Sequence, residues 1–226
     1  MNPKETVKKG YDALSMLYRQ DDASPDQYKL WTEKLISLLP SSPTHILDIG
    51  CGCGVPVSRD LVAAGYAVTG IDISEKQIER AKILVPEGRF FCQDITSDTQ
   101  LSASGAITEQ GQLDAIVALY VLFHMPLDEQ AVLMRRMAGW LKEGGYCLMT
   151  VGIKPWELEG EEAGWLGSDE SVKMWWLQTS IDQYRTWAKE AGFEVIEDVH
   201  TADLVGGSEG HQLLLLRKPY RSCVAT

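Results

Sequence analysis

Four side chains able to do chemistry stand beside glycines or at the ends of apolar runs: Asp48, Asp72, Asp94 and His124. Asp48 opens the stretch DIGCGCG, in which Gly50, Gly52 and Gly54 alternate, and Asp72 closes the apolar run from Ala67 to Ile71. Glycines let the backbone adopt conformations closed to other residues and let a ligand approach without meeting a side chain. An acid ending the strand after such a loop is placed to accept hydrogen bonds from the two hydroxyls of a ribose. The expected ligand is therefore a nucleoside. A dinucleotide fingerprint needs a further glycine at its sixth position. Val55 stands there, so a nicotinamide-dependent oxidoreductase is the weaker of the readings on the same kind of sheet.

These side chains need a frame. The run His45 to Ile49 reads as a strand, the glycines as a loop, Val57 to Ala64 as a helix and Ala67 to Ile71 as a second strand. Strand, helix, strand makes parallel neighbours with the ligand at their carboxyl ends. Asp48 adds a carboxylate that suits a ligand carrying an amino group and a sulfonium better than one carrying two phosphates, which points to S-adenosyl-L-methionine. DIGCGCG followed by GID resembles the first two motifs of the class I S-adenosylmethionine-dependent methyltransferases. Gln93-Asp94-Ile95 resembles their third motif, and Gly10-Tyr11-Asp12, the VLxHxP ending around His124 and Ala191-Gly192-Phe193 extend the likeness over nearly the whole chain.

The resemblance implies an α/β fold: a doubly wound seven-stranded sheet, mostly parallel with an antiparallel last strand, helices on both faces and an added lid. Residues 1–226 form a single domain, with an N-terminal helical cap over 1–40 and a lid insertion over 152–178. The same resemblance implies that Asp48, Gly50, Cys51 and Gly52 hold the cofactor at the loop and Asp72 its ribose. Ile73 and Ile95 lie against the adenine, Asp94 accepts from its amino group, and Gln77 and Leu119 complete the wall. Tyr11 and Tyr18, on a helix with apolar spacing at Val7, Tyr11, Leu14 and Tyr18, reach the cofactor or close the pocket, or else only pack that helix down.

His124 sits where relatives of this ending carry a histidine, and a free pKa near ~6.5 suits removal of a proton from a substrate hydroxyl. The alternative is that it only orients the loop or the substrate. Trp156, Trp165, Trp175 and Trp176 crowd into the insertion after the fifth strand, over the carboxyl ends of the strands. There they form a substrate lid or a small core of their own; Trp156, Trp175 and Trp176, with His124, are the expected acceptor contacts. Neither an Asp/Asn-Pro-Pro-Tyr run nor an acid opening a magnesium site follows the fourth strand, so no metal is expected.

The remaining punctuation gives a helix from Ser24 or Pro25 to Leu39, a Ser74-capped helix ending before Pro86, a strand Arg89 to Cys92 and a mobile polar loop over 96–112. A strand Asp114 to Leu119, a helix Leu127 to Leu141 stopped by Gly144 and Gly145, a strand Tyr146 to Val151, a last helix and a closing hairpin follow. The net charge of −11 disfavours nucleic acid as a partner. No apolar run approaches the ~18 residues of a membrane span, and five scattered cysteines suit reduced thiols. The expectation is a soluble, cytoplasmic enzyme moving a methyl group to an oxygen or nitrogen of a small apolar or aromatic metabolite. A protein that binds the cofactor without methylating is the other reading.

Overall fold

The computed structural model describes residues 2–22, 26–41, 44–107, 110–155, 160–202 and 210–220. Two helices come first, α1 (Pro3–Tyr18) and α2 (Asp26–Leu38). The alternating unit follows as β1 (His45–Ile49), α3 (Val57–Ala63), β2 (Ala67–Asp72), α4 (Glu75–Leu84) and β3 (Arg89–Cys92). After these run α5 (Asp98–Ser104), β4 (Leu113–Ala118), α6 (Leu127–Trp140), β5 (Leu141–Val151), β6 (Gly160–Ala163), β7 (Lys173–Trp176), α7 (Ile181–Glu190), β8 (Glu194–Thr201) and β9 (His211–Arg217).

Seven strands form one sheet in the order β3-β2-β1-β4-β5-β9-β8. All are parallel except β9, which runs antiparallel to β5 and to β8. Because helices cover both faces, the central strands read as continuous apolar runs. Leu47, Ile49, Ile116 and Met149 face a core made with Leu133, Met134 and Met137 of α6. Ile46, Val117 and Leu148 face the opposite one, against Tyr28 and Leu35 of α2 and Leu61 of α3. The doubly wound sheet with an antiparallel last strand is therefore as the sequence implies. The strand order reverses between β1 and β4, and the cleft outside their carboxyl ends is where such folds take ligands.

Two local expectations are corrected. The polar stretch after Ile95 holds helix α5, with Ser97 capping it and Gly105 ending it in the left-handed region. Leu101 is its buried anchor, too little for a periodic signal. The Gly144-Gly145 pair does not stop α6: that helix ends at Trp140, and β5 begins at once. The glycines instead kink β5, where Gly144 N–H donates to Lys218 O at 2.7 Å. The expected cap Ser24 or Pro25, Trp156 and most of the last hairpin loop lie outside the described residues.

The insertion after β5 holds an antiparallel pair, β6 with β7, apart from the main sheet. This pair packs on α1 through Leu14, Trp165 and Met174, with Tyr11, Tyr18 and Trp176 at the margin. Gly10 makes the close approach possible, since a Cβ there would stand 2.2 Å from Met174 Sδ and 2.6 Å from Lys173 O. The C-terminal half of α1 is fastened to α4. Arg80 donates to Ser15 O and to Arg19 O, each at 2.7 Å, and Ser15 Oγ donates to Gln77 Oε1 at 2.9 Å. Asp12 accepts from Ser74 Oγ and from Lys76 N–H.

Candidate active site

The glycine loop leaves β1 through Gly50, at φ +67°, where a Cβ would collide with Val121 at 2.8 Å. Gly52 then offers its N–H to Asp72 Oδ2 at 2.9 Å, while Ser74 N–H donates to Asp72 Oδ1 at 2.8 Å. A carboxylate oxygen has two lone-pair sites, so each oxygen of Asp72 is fixed by one backbone donor and keeps one acceptor position. That arrangement suits a pair of ribose hydroxyls. A Cβ on Gly52 would meet nothing nearer than Gln77 Nε2 at 4.0 Å, which leaves room for a ligand against the loop.

A cleft opens here, lined together by the glycine loop, the ends of β2 and β4 and residues of α1. Asp72, Ile73 and Gln77 form one wall, Gly50, Gly52 and Leu119 its floor, Asp94 and Ile95 one end, and Tyr11, Tyr18 and His124 the cover. A second recess shares Gly50, Gly52, Tyr18, Gln77 and Leu119 with the cleft and adds Asp48, Cys51, Arg19 and Tyr28. The thirteen sequence-derived positions just placed thus gather around one loop. Trp175 and Trp176, in β7, lie against His124 through the Trp175 carbonyl and the Trp176 ring.

Burial sets the electrostatics. Desolvation pushes Asp48 up to about 7, against the hydrogen bond from Ser58 Oγ at 2.6 Å. Asp72 is raised to about 6 by burial, partly offset by its backbone donors. Asp94 differs. Burial opposes its charge, but Lys4 Nζ at 2.7 Å and Thr96 outweigh that and hold it below the usual carboxylate range. Lys4 also pairs with Glu129 at 2.8 Å, so the first turn of α1 closes over this end of the cleft.

His124 is 6% exposed. Its Nδ1 lies 3.0 Å from the Trp175 carbonyl and its Nε2 2.9 Å from Tyr11 Oη. A carbonyl only accepts, so Nδ1 carries the proton and Nε2 is the acceptor, taking the Tyr11 hydroxyl. Burial raises the Tyr11 pKa well above its ordinary value, which keeps that hydroxyl protonated. Desolvation depresses His124 to about 4, with His211 adding in the same direction and the Trp175 carbonyl opposing. The imidazole is neutral at physiological pH. Aromatic rings surround it: Trp176 at 4.5 Å, Phe123 at 5.1 Å and Tyr11 at 5.3 Å between centroids.

Sequence reasoning missed Arg19 and Lys4. Arg19 lies 4.8 Å over the Tyr28 ring and donates to Tyr28 Oη at 3.0 Å, which places a cation in the lining of the recess that Asp48 and the glycine loop also line. Lysines and an arginine near an N-terminus carry no signal of their own; only the tertiary pairing of α1 with the loops gives them a place. Among the described residues no cluster of three or more His, Cys, Asp or Glu could hold a metal. Nor is any described helix long and apolar enough to cross a membrane.

The glycine loop, the acid that ends β2 and the β3-β2-β1-β4-β5-β9-β8 order are those of a doubly wound sheet of the S-adenosylmethionine-dependent kind. The chain belongs to the methyltransferase-domain family, whose pattern matches residues 23–198, and it is an S-adenosylmethionine-dependent methyltransferase. It is 31% identical over 212 residues to 27-O-demethylrifamycin SV methyltransferase of Amycolatopsis mediterranei, a match covering 83% of this chain and 73% of that one. It is 33% identical over 111 residues to a ubiquinone biosynthesis O-methyltransferase of Bordetella bronchiseptica, covering 48% of this chain and 43% of the relative. In fold it is similar to a magnesium protoporphyrin IX methyltransferase from Synechocystis solved with bound S-adenosylmethionine, with TM-score 0.67, 17% identity, and 96% and 98% of the two chains covered. A [4+2]-cyclase is equally similar, with TM-score 0.68, 18% identity and 97% of each chain covered. The fold alone therefore does not choose the reaction.

Proposed function

We propose that this enzyme methylates a hydroxyl oxygen of a small, uncharged, apolar or aromatic metabolite, with His124 as the general base. The observation that carries the reading is the neutral imidazole whose unprotonated Nε2 faces the cleft beside Tyr11. Support comes also from the two relatives named above, which carry O-methyl chemistry in their names, and from the rings of Phe123, Trp176, Tyr11 and Tyr18 around the cover. Such rings favour a flat apolar acceptor.

Bound cofactor supplies an electrophilic methyl group on sulfur. Asp72 takes the ribose hydroxyls; Ile73, Ile95 and Asp94 take the adenine; and Arg19 with the loop at Gly50 takes the amino-acid end, beside Asp48. The acceptor hydroxyl replaces the Tyr11 hydroxyl at Nε2. His124 Nε2 would take the acceptor's proton and Nδ1–H would stay on the Trp175 carbonyl; the cofactor would supply the methyl carbon, its bond to sulfur breaking as the bond to oxygen forms and leaving a neutral thioether. Holding the nucleophile in line inside a dry aromatic pocket supplies most of the acceleration. In this reading the domain is single, with residues 1–40 as a cap and 152–178 as the acceptor lid.

Incubation with methyl-labelled cofactor and a panel of phenols, hydroxylated polyketides and matched amines, read by mass, tests the proposal. Label on the hydroxyl compounds supports it. Label confined to amines, or rearranged and unlabelled products, would overturn it.

A further inference from the structure

His124 owes the state of its ring to a strand that is not its own. The chain leaves β4, turns, and carries His124 on a 3₁₀ turn, Leu122–His124. Strand β7 lies alongside. Leu177 N–H donates to Phe123 O at 2.8 Å, and the Trp175 carbonyl receives His124 Nδ1 at 3.0 Å. Gln130 of α6, fully buried, joins the same two segments: its Nε2 donates to Met125 O at 2.8 Å, one residue past His124, and to Leu177 O at 2.9 Å, two past Trp175. Its Oε1 accepts from Tyr184 Oη of α7 at 2.6 Å. Both amide protons and the amide oxygen are thus engaged, and Tyr184 fixes which way the amide faces.

We infer that Gln130 is the positioning residue of the base: by tying the lid strand to the His124 turn it holds the Trp175 carbonyl on Nδ1 and so selects the tautomer whose Nε2 faces the cleft. This inference rests on the base reading of His124. The other groups against the ring are Tyr11 from α1, the Trp176 ring from β7, Phe123 on its own turn and, beyond Phe123, His211 at the start of β9. Freed from the carbonyl, the ring relaxes toward the mixture of a solvated imidazole, in which the proton sits mainly on Nε2. An acceptor hydroxyl would then meet an N–H rather than a lone pair. Docking of the lid and competence of the base are therefore one event, and Gln130 is its fastener.

The test needs no acceptor. Protein labelled with nitrogen-15 histidine and saturated with S-adenosylhomocysteine gives long-range proton–nitrogen spectra in which each ring reports its tautomer. The chain has four histidines, and His124 is assigned by its loss in His124→Ala. The wild type is expected to show His124 with the proton on Nδ1. Gln130→Met, matched in length but without donors, should move most of that population to the Nε2–H form while S-adenosylhomocysteine still binds with unchanged affinity. Gln130→Glu, which still accepts from Tyr184 and, protonated by burial, can donate to only one of the two carbonyls, should shift the population in the same direction and serves if the methionine variant does not fold. A His124 that keeps its proton on Nδ1 in the folded variants, or one found as Nε2–H in the wild type, would overturn the role of Gln130. Full turnover of His124→Ala on a hydroxyl acceptor would instead overturn the base reading beneath it, so the two failures are told apart.

Discussion

Asp72 and His124 carry the proposed chemistry, and they make separable predictions. Replacing Asp72 by alanine removes a charge-assisted acceptor for two hydroxyls, worth ~1.5–3 kcal/mol. Calorimetry should show S-adenosylmethionine affinity falling by roughly ten- to hundredfold, with folding retained; an unchanged dissociation constant would remove the ribose assignment. His124→Ala should leave cofactor affinity intact and lower turnover on a hydroxyl acceptor by ~10²–10⁴-fold. Because burial depresses the imidazole to about 4, the wild-type rate should be flat across neutral pH and fall only on approach to that value. The ordinary histidine pKa assumed from sequence misses this, since desolvation is a property of the packed turn. Asp72 and His124 could be singled out in the sequence because one ends a strand beside a glycine loop and the other sits in the VLxHxP ending, and both line the cleft. Arg19 and Lys4 could not, because each gains meaning only from Tyr28 or from Asp94 and Glu129 across the cleft.

At the scale of elements, the lid is where pattern and structure part company. Four tryptophans announced an insertion over the strands, but not which ring would touch what. In β7 the side chains alternate, and Met174 and Trp176 pack toward α1 and His124. Trp175 therefore reaches the site through its carbonyl rather than its ring. Trp176→Ala should accordingly raise the Michaelis constant for an acceptor more than Trp175→Phe, which keeps the carbonyl; equal effects would argue against this placement. The hinge of the contact is Gly10. A larger side chain there must push β7 off α1, at a cost of ~1–3 kcal/mol for overpacking. Gly10→Val should speed amide exchange in 160–163, 173–176 and the first half of α1 while β1 and β4 stay protected. Uniform loss of protection would show that the lid is part of the global core. Helix α5 and the start of β5 escaped sequence reading for a related reason: each depends on a tertiary contact, the burial of α5's Leu101 in the core or the bond from Gly144 to the Lys218 backbone, rather than on a run of periodic residues.

For the whole molecule the buried carboxyls govern how stability follows pH. Asp48 and Asp72 have folded pKa values of about 7 and about 6, above the ordinary 3.8, so folding takes up protons on both. Stability from that uptake is complete below the unfolded value and is lost as pH rises through the folded ones. His124 works the other way. Its folded value of about 4 lies under the ordinary 6.5, so it withdraws stability as pH falls through that interval. Two carboxyls against one histidine leave a net uptake, and the net charge of −11 adds repulsion that acid relieves. The paired carboxylates Asp12, Asp94 and Asp198, held below their usual range, reverse the trend only in stronger acid. The ligand-free protein should therefore melt at a higher temperature as pH is lowered from about 8 toward about 5.5. Cofactor should do the opposite. A sulfonium and an amino group favour the ionised carboxyls, so S-adenosylmethionine should raise the melting temperature more at the alkaline end, and with a steeper pH dependence than S-adenosylhomocysteine, which lacks the sulfonium charge. Calorimetric melts of both complexes across this range decide the matter. A pH-independent cofactor shift, or a ligand-free stability that climbs with pH, would mean that the buried Asp48 and the half-buried Asp72 are not the proton-retaining pair that desolvation at the glycine loop makes them.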